Sequence, residues 1–116
     1  MKCHVAKKYV IEYYEDDFSL FKFKMDELKR LLDLLSVYCF SDSEYSTSFE
    51  VLAEELYYAI RSLINWNGQD EDFQKSITDF LEQSLDGASL SEVIDCLEEI
   101  YLHRDTNNEY IYISFF

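Results

Sequence analysis

The stretch EYIYISFF, residues 109–116, decides between the fold classes open to this chain. Its β-branched and aromatic side chains are typical of a β-strand. Such a strand left unpaired would expose an apolar edge, which folded proteins avoid. We therefore expect it to pair with another strand of the same chain, and the sequence offers candidates near its beginning.

Residues 7–24 predict a β-hairpin. Residues 9–14 are β-branched and aromatic, the acidic triplet at residues 15–17 forms a polar break, and residues 18–24 follow as FSLFKFK. In that last segment Phe21 and Phe23 fall on one face and the lysines on the other, which is the alternation of a strand with one buried face. We expect the C-terminal strand to pair with this hairpin.

Apolar residues recur at helical spacing in four segments between the hairpin and the C-terminal strand. The first covers about residues 26–40. The second begins at the sequence Thr47-Ser48-Phe49-Glu50 and the fourth at Ser89-Leu90-Ser91-Glu92, and both match a capping box. The third begins near residues 70–72 and ends at Asp86-Gly87.

These elements predict one α+β domain over residues 1–116, in the order β-β-α-α-α-α-β. A small antiparallel sheet, made of the N-terminal hairpin and the C-terminal strand, packs against about four helices. The length of 116 residues suits a single core. The alternative is a four-helix bundle with the sheet at its periphery.

The charge of the chain excludes several kinds of partner. There are 24 acidic and 10 basic residues, a formal net charge of -14. A protein that binds nucleic acid or an anionic membrane directly needs the opposite sign, because its affinity comes from neutralising phosphates. The first 30 residues hold seven basic and six acidic residues, whereas the remainder holds three basic and eighteen acidic. We therefore expect a basic protein partner that meets the acidic helices.

The candidate partner-binding residues are acids spaced along the predicted helices, together with one tyrosine. Like charges at helical spacing destabilise a helix by roughly 0.2–0.5 kcal/mol per pair, so a function that requires them is plausible. A face that is merely solvated is the simpler alternative. The candidates are Asp79, Glu82 and Asp86 on the third helix, Glu92, Asp95, Glu98 and Glu99 on the fourth, and Glu50, Glu54, Glu55 and Tyr58 on the second.

Motifs for catalysis and metal binding are missing from the sequence. It has no Gly-rich phosphate loop, no G-x-S-x-G elbow, no C-x-x-C and no H-E-x-x-H. Cys3, Cys39 and Cys96 are an odd and widely spaced set, which does not predict a disulfide framework. We expect no enzymatic activity, no cofactor, no metal, no secretory leader and no membrane span, and a reducing cytoplasm as the compartment.

Small size, strong acidity, many tyrosines and the lack of catalytic motifs resemble bacterial immunity proteins of bacteriocin and contact-dependent growth inhibition systems. The resemblance extends over the whole chain and involves no single motif. It implies a cytoplasmic monomer or weak homodimer that neutralises a cognate nuclease toxin by occlusion. Two alternatives stay open: a phage-encoded DNA mimic that inhibits CRISPR or restriction enzymes, and an intracellular adaptor or antitoxin that dimerises through its sheet edge.

Overall fold

A four-stranded antiparallel sheet brings together segments from the two ends of the chain. The computed structural model describes residues 3–6, 25–41, 48–84 and 89–115. Within them, strands β1 (Cys3–Ala6), β2 (Cys39–Phe40), β3 (Ser48–Leu52) and β4 (Tyr110–Phe115) lie in the order β1-β4-β3-β2. Strand β4 is therefore central, with β1 on one side and β3 on the other.

The sheet has one buried face and one outer face. On β3, Phe49 and Val51 are buried, and their register partners on β4 are the buried residues Ile113 and Ile111. Glu50 lies between them on the outer face, where it is exposed. This period of two is what a pleated strand requires when only one face meets the core.

Four helices supply the rest of the core. They are α1 (Met25–Leu34), α2 (Ala53–Ile64), α3 (Glu71–Ser84) and α4 (Leu90–Leu102). Helix α2 packs against α4, and α1 packs against α3. The helices bury most of their apolar side chains, although Leu34, Ile64 and Leu102 are exposed. The most deeply buried side chains include Leu28, Leu31, Leu56, Leu63, Ile77, Leu97 and Ile100.

The predicted α+β class is confirmed, as are a small antiparallel sheet, its C-terminal strand and the four helices. The described neighbours of that strand are β1 and β3, however, and not the strands expected at residues 7–24. The described elements run β-α-β-β-α-α-α-β, which differs from the expected order in the two short strands between α1 and α2. The hairpin predicted at residues 7–24 lies outside the described residues.

The first helix is shorter than predicted. Helix α1 ends at Leu34 rather than near Phe40. Ser36 takes a left-handed backbone conformation, with φ of 63°, and the Val37 amide donates to the Leu32 carbonyl at 2.8 Å. This reversal ends the helix and turns the chain into β2, so Cys39 and Phe40 are strand residues.

The predicted start of the second helix is wrong. Residues 48–52 form β3, and α2 begins only at Ala53, without a side-chain cap. Thr47 lies outside the described residues. Pairing with β4 explains the difference, because it buries Phe49 and Val51 on alternate positions while their backbone groups join the sheet. A helix over the same residues would forfeit that pairing.

The predicted starts of the third and fourth helices are confirmed. Before α3, the Asp70 carboxylate accepts a hydrogen bond from the Phe73 amide at 2.8 Å. At α4 the Ser89 hydroxyl accepts from the Glu92 amide at 3.2 Å, while the Glu92 carboxylate accepts from the Ser89 amide at 3.3 Å. These three hydrogen bonds satisfy backbone amides that the start of a helix leaves without partners.

Candidate protein-binding surface

The acids predicted on the third helix face solvent where they are described. Asp79 and Glu82 are exposed, and the neighbouring Ile77 and Phe80 are buried on the opposite side of α3. Asp86 lies outside the described residues. The exposed face of α3 is thus available to a partner, and neither aromatic residue of this helix, Phe73 or Phe80, is exposed beside the carboxylates.

The acids predicted on the fourth helix differ in their surroundings. Asp95 is exposed, whereas Glu98 and Glu99 are half-buried. Glu92 is engaged in the capping box. One carboxylate oxygen of Glu99, Oε2, is excluded from solvent and has no hydrogen-bond partner. Asp95 is therefore the α4 acid best placed to meet a partner, and Glu99 is a poor candidate.

The acids of α3 and α4 are carried by helices that pack against different neighbours. Helix α3 packs on α1 and helix α4 packs on α2, so the two sets are carried by different helix pairs. The prediction grouped the α3 acids with the α4 acids because the spacings within the two helices are alike. Spacing within one helix carries no information about which helix lies next to it.

The residues predicted on the second helix come from two elements. Glu50 lies on β3, so its predicted place on the second helix is wrong. Glu54 and Glu55 occupy the first turn of α2, exposed and half-buried respectively. Tyr58 is 60% exposed. Tyr58 lies about one turn further along α2, where its ring packs edge to face against Tyr57 at 5.7 Å.

An aromatic cluster on the outer face of the sheet was not predicted. We call it the aromatic patch, and it consists of Tyr38, Phe40, Tyr110 and Tyr112. The Tyr38 and Phe40 rings pack edge to face with centroids 4.6 Å apart, and the Phe40 and Tyr110 rings do the same at 5.6 Å. Tyr38 is 64% exposed, and Glu50 is the register partner of both Phe40 and Tyr112.

The aromatic patch was not predicted because its rings come from separate segments of the chain. Tyr38 and Phe40 belong to the turn after α1 and to β2, and the tyrosines belong to β4. Residues 38–40 fell within the predicted first helix, so no strand was expected to bring Phe40 beside Tyr110. The available signal was the alternation of tyrosine and isoleucine in residues 110–113, which already placed both tyrosines on one face.

A cleft of about 550 Å³ adjoins the patch where β3 passes into α2. We call it the α2–α4 cleft. Its wall on one side comes from the start of α2 and on the other from the end of α4 and the turn before β4. The residues that give it its chemistry are Glu54, Tyr57, Tyr101, Arg104, Asn107 and Glu109.

One arginine is fixed inside this cleft. The Arg104 guanidinium carbon lies 3.7 Å from the centroid of the Tyr101 ring, and Nη1 donates to the Tyr101 carbonyl at 2.7 Å. The Tyr57 ring lies 5.8 Å from the Tyr101 ring and is 42% exposed. The cleft therefore combines one occupied and one accessible aromatic face.

The cleft and the aromatic patch form one continuous surface. Leu52, which lines the cleft, is the register partner of Tyr110, which belongs to the patch. The Ala53 amide donates to the Glu109 carbonyl at 2.8 Å and holds the two walls of the cleft together at this point. Exposed rings and carboxylates thus extend from the outer sheet face onto the start of α2.

The described residues offer little for catalysis or metal binding. Burial raises the pKa of the Cys39 thiol to about 11, so the thiolate that a nucleophile requires is scarce at neutral pH. Within residues 3–6, 25–41, 48–84 and 89–115, no three His, Cys, Asp or Glu side chains are grouped to hold a metal ion. In the same residues, no helix has the length and apolar character needed to cross a bilayer.

No protein-family model, curated protein or solved structure matches this chain. Function is therefore inferred from the surface itself: its exposed rings, its carboxylates and the cleft between α2 and α4.

Proposed function

We propose that the protein binds and inhibits a basic protein partner, and that this partner is a nuclease toxin domain for which the chain is the immunity protein. The observation that carries the proposal is the aromatic patch on the outer face of the sheet, where Phe40 and Tyr112 flank the exposed carboxylate of Glu50. Exposed apolar surface is costly in a monomer, and tyrosine is enriched among residues that dominate binding energy. A protein interface accounts for both.

The sign of the charge favours a basic partner. The chain after residue 30 carries eighteen acidic and three basic residues. A nuclease holds phosphates in a cationic cleft, so its substrate site matches an acidic protein in sign. Complementary charge accelerates association and suppresses wrong partners. A protein bound at or beside such a cleft blocks nucleic acid by occlusion.

The aromatic rings and the acids have different roles in the proposed binding. Exposed acids such as Asp79, Glu82 and Asp95 act at long range and affect the rate of encounter. The rings of the aromatic patch and Tyr58 act at contact and affect the lifetime of the complex. The free thiol of Cys39 is compatible with action in the cytoplasm. We expect the unbound protein to be a monomer or weak homodimer.

Partner capture followed by an activity assay tests the proposal. The tagged full-length protein is used to purify its partner from the native host, and the partner is then produced alone. We expect the partner to degrade DNA or RNA and to lose that activity at one molar equivalent of this protein. A partner without nuclease activity, or one whose activity persists at excess inhibitor, overturns the proposal. A captured DNA-binding enzyme with no toxin activity would instead favour the DNA-mimic alternative.

Two sets of variants then separate the roles of acids and rings. The first set reverses Asp79, Glu82 and Asp95 to Lys, and leaves Glu99 intact because its buried oxygen would complicate the result. It should slow association and flatten its salt dependence. The second set changes Tyr38 and Tyr58 to Ala, and it should mainly accelerate dissociation. If neither set changes the kinetics in stopped-flow measurements, this surface is not the interface.

A further inference from the structure

We infer that the α2–α4 cleft is a pocket for an arginine side chain presented by the partner. The inference rests on the proposed function for the source of the arginine, but the recognition of a guanidinium rests on the cleft alone. The basic partner supplies this guanidinium at one defined point of the surface.

The aromatic walls of the cleft suit a planar cation. Arg104 already lies over the Tyr101 ring at 3.7 Å, so the chain itself uses one of these rings to hold a guanidinium. The neighbouring Tyr57 ring is 42% exposed to the cleft and to solvent. Arginine binds aromatic faces both as a cation and by stacking, which lysine does less well.

The charges in the cleft leave one negative charge unbalanced. Its lining has two carboxylates, Glu54 and Glu109, and one guanidinium, Arg104. Both carboxylates are exposed and can accept hydrogen bonds from an incoming group. A second guanidinium would neutralise the lining, and its fork of N–H donors matches a carboxylate in two parallel hydrogen bonds.

Hydrogen bonds within the protein fix the shape of the cleft without a ligand. The Ala53 amide donates to the Glu109 carbonyl at 2.8 Å. The turn before β4 is fixed by the Asn107 amide, which donates to the Asp105 carboxylate at 3.0 Å, and by the Tyr110 amide, which donates to the Asn108 side chain at 3.0 Å. A preformed site loses little entropy when it binds.

The size of the cleft is compatible with a side chain delivered by a protein. Its volume of about 550 Å³ lies within the range of roughly 300–1,000 Å³ that is usual for binding pockets. Because the cleft adjoins the aromatic patch, an arginine entering it would be surrounded by the contacts of a larger interface. Anchor residues of this kind account for much of the affinity in protein complexes.

A peptide titration tests guanidinium recognition without the partner. The probe is acetyl-Gly-Arg-Gly-amide, and the control is the same peptide with Gln in place of Arg. Two-dimensional ¹H–¹⁵N spectra of the full chain should show saturable shifts at the amides of Ala53, Asn107 and Asn108 with the arginine peptide only. Shifts that are absent, equal for both peptides, or located on α3 overturn the inference.

Matched charge variants separate this site from the general acidity of the chain. Glu54→Gln with Glu109→Gln removes two carboxylates from the cleft, and Asp79→Asn with Glu82→Gln removes two from α3. We expect the cleft pair to weaken binding of the arginine peptide by about fivefold or more, and the α3 pair to change it by less than about twofold. Equal losses would show that only net charge attracts the peptide.

The two proposals fail in different ways. If the arginine peptide binds the cleft but no captured partner is an inhibited nuclease, the proposed function is wrong and the arginine pocket stands. If a nuclease is inhibited normally by the Glu54→Gln, Glu109→Gln variant, and the peptide does not bind, the pocket is wrong and the proposed function stands.

Discussion

At the scale of single residues, Cys39 shows how burial and neighbouring charge act on one group. Burial raises the pKa of its thiol to about 11, the Lys29 ammonium opposes the rise, and the carboxylates of Asp33 and Glu55 add to it. The protonated thiol is thus the form that the folded protein stabilises. Its role is to pack beside the core as a small apolar group.

The raised pKa of Cys39 predicts a loss of stability at alkaline pH. From pH 9 to pH 11 an unfolded chain loses the Cys39 proton, whereas the folded chain retains it. The folded state then binds more protons than the unfolded state, so its stability falls as pH rises. The free energy of unfolding in urea should fall more steeply over this range in wild type than in Cys39→Ala. Parallel profiles for the two proteins would contradict the pKa of about 11.

Glu99 predicts a stabilising substitution. Its Oε2 atom is shielded from water and receives no hydrogen bond, and a charged oxygen in that position loses hydration without compensation. We expect Glu99→Gln to raise the free energy of unfolding by about 0.5–1 kcal/mol. Glu98→Gln is the matched control, since it removes the same charge from the next position. If both variants gain equally, relief of general repulsion is the cause and the buried oxygen is not.

At the scale of the elements, two similar sequence motifs adopt different secondary structures. Thr47-Ser48-Phe49-Glu50 and Ser89-Leu90-Ser91-Glu92 both match a capping box, yet only the second caps a helix. In the first, Phe49 and Val51 alternate with Glu50, and the central strand β4 lies ready to pair with them. A local motif predicts a helix start only where no long-range strand pairing competes for the same residues.

The capping box formed by Ser89 and Glu92 predicts a loss of stability when it is removed. Ser89→Ala leaves the Glu92 amide without its side-chain acceptor and should lower the free energy of unfolding by about 1 kcal/mol. Ser76→Ala makes the same chemical change at an exposed position inside α3, where alanine favours the helix, so stability should stay equal or rise. Chemical denaturation measures both. A loss of similar size in both variants would mean that capping is not responsible.

The end of α1 shows why other boundaries could not be predicted. Leu28, Leu31 and Leu32 predict the helix correctly, and Leu35 and Tyr38 continue the same spacing in the sequence. The chain instead reverses at Ser36, a non-glycine residue with φ of 63° that no composition rule indicates. Contacts with other segments of the chain hold this reversal in place, among them the pairing of β2 with β3.

The two faces of β4 predict different losses of stability on substitution by alanine. Ile113 is fully buried between β1 and β3, and Ile113→Ala should cost about 2–5 kcal/mol. Tyr112 is 37% exposed on the outer face, and Tyr112→Ala should cost far less. Thermal unfolding followed by circular dichroism compares the two. If Tyr112→Ala is as damaging as Ile113→Ala, the outer face is not a solvent face.

At the scale of the whole molecule, the charge of the surface and the position of the proposed interface were predictable to different degrees. Net charge needs only counting, so an acidic surface follows from the sequence. The location of the surface depends on which segments become neighbours. Asp79 and Asp95 are exposed as expected, but the cleft joins Glu54 to Arg104 and Glu109, which lie about fifty residues away in the chain.

A net charge of -14 predicts that added salt stabilises the fold. The acids repel one another in the compact state, and mobile ions screen that repulsion over about 10 Å at 0.1 M. Raising NaCl from about 10 mM to 300 mM should increase Tm by roughly 2–5 °C. The increase should be smaller in the Asp79→Lys, Glu82→Lys variant. A Tm that falls with salt would mean that attractive pairs outweigh the repulsion.

The central position of β4 has a consequence for how fast this protein folds. Cys3 pairs with Phe115, and Val5 pairs with Ile113, so the sheet joins positions more than 100 residues apart. Closing such long loops costs entropy before any contact repays it, and proteins with many distant pairings fold more slowly than helical bundles of equal length. The helices can form early from local contacts, but their apolar faces stay open until residues 110–115 insert between β1 and β3. We expect the insertion of this single strand to limit the rate of folding.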